Sequence, residues 1–156
     1  MIEAHRLLID ADSSKPAFAV GISRYLDAYP GFREAQPRIY VKFRPSGLED
    51  PILALLDTGG HFCILNHEIV PLIRDQLTYR LDELVLHTAR GPIRGELYIL
   101  RIELIAEEGT SLEIDSTAFI SPEWRAPNFI GYSGVLDRLR FAIDPRTNLF
   151  YFGSLR

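Results

Sequence analysis

This chain of 156 residues has one cysteine, one methionine, one tryptophan and two lysines. A lone cysteine, Cys63, excludes an internal disulfide framework and is compatible with a reducing, cytoplasmic setting. No apolar run approaches the ~20 residues of a membrane-spanning helix, so no membrane partner is expected. The opening MIEAHR lacks a basic region followed by an apolar stretch, so no signal peptide is expected either. Basic charge is scattered rather than clustered: fifteen arginines are spread along a chain of net charge −4, which argues against nucleic acid as a partner. There is no G-x-S-x-G and no phosphate-binding glycine loop. His61 and His67 have no Glu or Cys at ligand spacing, so neither a metal nor a cofactor is expected.

What the chain does have is one acid in an unusual place. Ile52, Leu53, Ala54, Leu55 and Leu56 lead directly into Asp57, Thr58, Gly59 and Gly60, and Phe62-Cys63-Ile64-Leu65 resumes the apolar pattern. Such a run reads as a buried strand, which would carry Asp57 out of the core. The glycines allow a sharp turn that brings peptide N–H groups to the carboxylate. A lone buried carboxylate is costly, so it must share a proton, meet a metal or accept several hydrogen bonds. Asp-Gly-type sequences also end strands as ordinary turns, but those turns are usually flanked by polar residues. Cys63, between apolar neighbours, reads as a small core residue.

The rest of the chain is predominantly β. Residues 1–36 read as an irregular flank, with a short strand possible at Leu7-Leu8-Ile9, turn formers at residues 10–14 and a Pro30-Gly31 turn. Residues 37–156 form the main domain. Alternation at residues 38–43 and 81–87 gives half-buried strands, and Pro71 is expected to break a helical turn within residues 67–73. Thr88, Ala89, Arg90 and Gly91, with Pro92 and Gly95 beyond, form a mobile hairpin tip before a returning strand at residues 96–103. Residues 107–110 form a further turn, and 112–120 another strand. A loop with Trp124 follows, then Phe129-Ile130-Gly131 as a short strand ending in glycine. Apolar residues at 135, 136, 139 and 141 suit a short amphipathic helix. Residues 144–148 turn between two last strands, 141–143 and 149–152.

The order of these pieces resembles the retropepsin-like (retroviral-type) aspartic proteases. The resemblance rests on A-L-L-D-T-G at 54–59, T-A-R-G at 88–91 and F-I-G-Y-S-G-V-L-D-R-L at 129–139. The closing strands at 141–152 look like those of bacterial members. Gly60 stands where the family usually has alanine or serine. The resemblance implies a mainly β acid-protease barrel with one short C-terminal helix, forming one half of a two-fold dimer. It implies an aspartic endopeptidase in which Asp57 is catalytic, Thr58, Gly59 and Gly60 complete the active-site loop, and Thr88, Ala89, Arg90 and Gly91 form a substrate-covering flap. Phe129, Ile130 and Gly131 would be the family's hydrophobic-hydrophobic-Gly element. Such chemistry needs two facing carboxylates, and the chain offers one D-T-G. Asp115, in D-S-T, lacks the glycine and reads as an exposed or capping acid. The second acid would then be Asp57 of a second copy, which makes the partners a homodimer and a peptide or protein substrate. Two alternatives stay open: a non-catalytic module of the same fold that binds peptide or dimerises, and a β-rich structural dimer in which D-T-G is only a core turn.

Overall fold

Alternating apolar residues place Val41 and Phe43 of the first barrel strand in the interior, and the same logic repeats around the molecule. The computed structural model describes residues 17–31 and 38–155. The strand expected at residues 7–9 and the turn at 10–14 lie outside the described residues. In chain order the strands are β1 (Gly21–Arg24), β2 (Tyr40–Pro45), β3 (Ile52–His61), β4 (Cys63–Ile64), β5 (Tyr79–Thr88), β6 (Gly91–Leu104), β7 (Glu108–Gly109), β8 (Leu112–Ile120), β9 (Phe129–Ser133), β10 (Leu139–Asp144) and β11 (Leu149–Ser154).

Seven of these form one sheet in the order β2-β3-β9-β4-β8-β6-β5. Its sixth member, β6, is 14 residues long and turns back to pair with β2, matching Phe43 with Leu104 and Pro45 with Ile102. That pairing closes six strands into a barrel and leaves β5 outside it, attached only to β6. Closure removes the open edges of those six strands. Val41, Phe43, Ala54, Leu100, Ile102, Leu104 and Ile130 fill the interior.

The remaining strands form a four-stranded sheet, β10-β11-β1-β7. Phe150 and Phe152 turn one face of it into the main core, while Tyr151 packs with Ala19 and Ile22 on the other.

Several local expectations change. The segment read as an irregular flank contributes β1, which pairs with β11 along its whole length. Gly21 is required there, because a Cβ would lie 2.5 Å from both the Phe152 ring and the Thr110 carbonyl oxygen. Pro71 does not break a helix. It sits in the first turn of a 3-10 helix, Val70–Gln76, where its missing N–H costs nothing. The expected amphipathic helix at 135–141 is a single 3-10 turn, Leu136–Arg138. From Leu139 onward the chain is recruited into β10, where pairing with β11 wins over a weak helical period. The turn at residues 107–110 also contributes a two-residue strand, β7, paired with β1.

Candidate active site

The site is built where β3 and β9 run side by side in parallel, with Leu55 opposite Phe129, Leu56 opposite Ile130 and Asp57 opposite Gly131. The register is interrupted after Asp57 and resumes at His61 opposite Ser133, so Thr58, Gly59 and Gly60 bow away from the sheet. Asn128 anchors the start of this pair. Its side-chain nitrogen donates to the Leu53 carbonyl at 3.0 Å, its side-chain oxygen accepts from Asn66 N–H at 2.8 Å, and its own carbonyl accepts from Leu55 N–H.

At the far end the chain folds back over β9. Phe62 takes a left-handed backbone (φ 65°), donates to the Ser133 carbonyl and accepts from Gly131 N–H at 2.8 Å. β4 then continues antiparallel to β9, so β9 threads between the two arms of one loop. A Cβ on Gly131 would lie 2.4 Å from the Phe62 carbonyl oxygen and 2.7 Å from the His61 carbonyl carbon. The reading of this glycine as the end of a strand is therefore corrected: β9 runs on to Ser133, and glycine is demanded by the close backbone approach.

Asp57 Oδ1 accepts the Gly59 N–H at 3.0 Å, the loop-to-carboxylate contact expected of the glycines. Its Oδ2 lies 2.5 Å from where an alanine Cβ at position 60 would stand, so Gly60 leaves room for this carboxylate orientation. The strand before it is less enclosed than its composition suggests. Ala54 is buried, but Leu53, Leu55, Leu56 and Asp57 are only partly so, and Thr58 and Gly59 are exposed.

A cleft of about 250 Å³ opens beside the carboxylate. Of the residues singled out in the sequence, Asp57, Gly59, Gly60, Thr88, Phe129 and Gly131 line it together. Thr58, Ala89, Arg90, Gly91 and Ile130 do not; Ile130 is instead buried in the barrel core. Thr88 and Gly91 face each other across a hairpin whose tip is Ala89-Arg90. The Thr88 hydroxyl donates to the Gly91 carbonyl at 2.8 Å and accepts from Arg90 N–H at 3.1 Å. Leu84, Leu86 and Ile93 of this hairpin pack on a cluster containing Ile64, Phe119, Trp124 and Phe129.

Trp124, Ile64, Leu86, His61 and His87 complete the cleft. Of these, His61 entered the sequence analysis only as a histidine without metal-ligand spacing. The period-two alternation of β5 could have indicated Leu86, whereas nothing local marks Trp124, which is placed by its N–H bond to the Pro127 carbonyl and its edge-on contact with Phe129. His61 Nδ1 lies 3.3 Å from Ser133 Oγ, and its bond is therefore not to Asp57. Asp115 is exposed in the middle of β8 and pairs with Arg101 at 2.9 Å. Cys63 is fully buried, and burial pushes its thiol up to about 12.

No family model matches this chain, and no curated protein matches it. Among solved structures it is similar to a retropepsin-like aspartic protease from Rickettsia conorii, with a TM-score of 0.54 and 17% identity, over 84% of this chain and 98% of that one. At that identity the likeness is one of architecture: the chain has the retropepsin-like fold, a mainly β barrel whose D-T-G loop and glycine-bearing strand lie against each other.

Proposed function

We propose that this protein is an aspartic endopeptidase that works as a homodimer, with Asp57 of each copy supplying one carboxylate of a shared dyad. The observation that carries the reading is the placement of Asp57 in register with Gly131, at a cleft bordered by the β5–β6 hairpin. The fold of the Rickettsia conorii protease supports it. Two unit charges ~3 Å apart at an effective dielectric of ~20 repel by roughly 5–6 kcal/mol, so a facing pair of carboxylates shares one proton. The ionised acid takes a proton from a water, and the protonated acid polarises the peptide carbonyl. Gly59 N–H, already bonded to Asp57 Oδ1, holds the carboxylate in place. The exposed Thr58 is free to bond across the two-fold axis. The β5–β6 hairpin closes over an extended peptide, which bonds to it through main-chain groups.

The test is a peptide-library digest at several pH values, comparing wild type with Asp57→Asn. Cleavage that disappears in the variant while the fold and dimer persist is the expected result. Wild-type turnover by Asp57→Asn would remove Asp57 from the chemistry. Peptide binding by both proteins with cleavage by neither would favour the non-catalytic module.

A further inference from the structure

Asp57 is the only carboxylate among the described residues that line the cleft, so the site lacks its second acid until another copy brings one. The axis relating two such copies passes beside Asp57, and the surface around that axis is used by both. Resting on the dimeric reading above, we propose that Tyr132 anchors a second copy of this chain on that surface, beside the D-T-G loop.

The placement follows from the register of β3 and β9. Asp57 stands opposite Gly131 and His61 opposite Ser133, with the shift in register falling between Asp57 and His61. Tyr132 therefore lies level with the bowed segment Thr58, Gly59 and Gly60. With strands about 4.8 Å apart and successive Cα atoms about 3.8 Å apart, its Cα is within about 9 Å of that of Asp57. Tyr132 is 49% exposed, although Ile130, two residues earlier on the same strand, is fully buried. Of the large apolar side chains exposed among the described residues, Tyr132 alone belongs to β3, β4 or β9. It does not line the cleft, so a peptide seated there does not account for it.

The backbone that carries the ring is already fixed. The Tyr132 carbonyl accepts from Val135 N–H at 3.4 Å, and Gly134, at φ 91°, donates its N–H to Asp137 Oδ1 at 2.9 Å. Arg138 then bonds Thr117 Oγ1 at 2.7 Å, which ties this turn to β8. Little ordering is left for the moment of association. A stable interface buries about 800 Å² on each copy, and the exposed Thr58 and Gly59 are too small to supply its apolar centre. A tyrosine brings about 150–250 Å², and its class is enriched among the residues that carry binding energy. In a two-fold interface each such residue acts twice.

The experiment measures the dimer dissociation constant by sedimentation velocity in the Asp57→Asn background, without interference from turnover. Tyr132→Ser should raise it about thirtyfold or more, the product of at least a fivefold loss on each side. Tyr132→Phe keeps the ring and should stay within about threefold of the parent. Leu72→Ser, at a side chain 63% exposed on the 3-10 helix, should leave the constant unchanged. With Asp57 restored, Tyr132→Ser should lose cleavage at low protein concentration and recover wild-type kcat above its raised dissociation constant. A constant that Tyr132→Ser does not move overturns the interface and leaves the shared dyad standing. A raised KM with unchanged dimerisation assigns Tyr132 to the substrate, and overturns the interface equally. A wild type that cleaves while remaining monomeric at every concentration ends both the shared dyad and this inference.

Discussion

Gly131 and Cys63 show how single positions in this chain are constrained by what crosses them. An alanine at 131 would press its Cβ into the Phe62 and His61 backbone, and backbone cannot move aside as a side-chain tip can. Overpacking of this kind costs about 1–3 kcal/mol, and the upper end is expected here. Gly131→Ala should therefore lower Tm by about 6–12 °C, measured by differential scanning calorimetry; a change within 2 °C would mean that the loop relaxes freely. Cys63 offers a second check. Its thiol is pushed up to about 12 by burial, from an ordinary value of 9.0, so the folded state holds this proton more tightly than the unfolded state. The stability it contributes is complete below pH 9 and is lost as pH rises towards 12. Ellman's reagent at pH 8 should find no reactive thiol until the protein is unfolded by denaturant. Prompt labelling of the native protein would show that the β3–β4 turn opens readily.

At the scale of elements, the β5–β6 hairpin and the threaded β3–β9–β4 unit differ in how firmly they are held. β5 bonds only to β6 and lies outside the closed barrel, so its attachment depends on hairpin pairing and on Leu84, Leu86 and Ile93 packing beneath it. At the tip, one hydroxyl makes both local contacts: Thr88 Oγ1 donates to the Gly91 carbonyl and accepts from Arg90 N–H. Thr88→Val removes both bonds with little change in shape. Each is worth about 1 kcal/mol at most, so amide exchange at Arg90 should speed up roughly fivefold while Tm hardly moves. Unchanged exchange at Arg90 would show that the turn geometry, with Gly91 at φ 112°, holds the tip without the hydroxyl. The β3–β9 pair lies within the closed barrel, and a comparable single-bond deletion there is expected to act on global stability instead.

For the whole molecule, the decisive property is that one chain carries one D-T-G, and Asp57, Thr58 and Gly59 lie at its surface rather than in its core. If the dyad forms only between copies, specific activity must depend on protein concentration. Below the dimer dissociation constant it should fall in proportion to concentration, and sedimentation velocity over the same range should show monomer replacing dimer. Activity per milligram that stays constant while sedimentation reports only monomer would refute the shared dyad. The four-stranded sheet that includes β1 belongs to the same folded unit, since Phe150 and Phe152 of β11 enter the main core.

By itself the sequence determined most of the strands, the D-T-G loop, the β5–β6 hairpin and the closing β10–β11 hairpin. Each of these is written locally, in period-two alternation, in turn residues or in a short motif. It also marked Asp57 and separated it from Asp115. Only the tertiary structure decided that β6 closes the barrel onto β2, that β1 joins the C-terminal strands and that residues 139–141 extend as strand. Those outcomes depend on partners 57 or more residues away, or on hydrogen-bond pairing that outweighs a short helical period. The same holds for Trp124 and Asn128, because nothing in their own neighbourhoods says what the barrel will bring against them. Gly131 belongs to both accounts: its motif was legible, but the reason for glycine lies in a loop some 70 residues earlier, whose backbone passes too close to allow a Cβ.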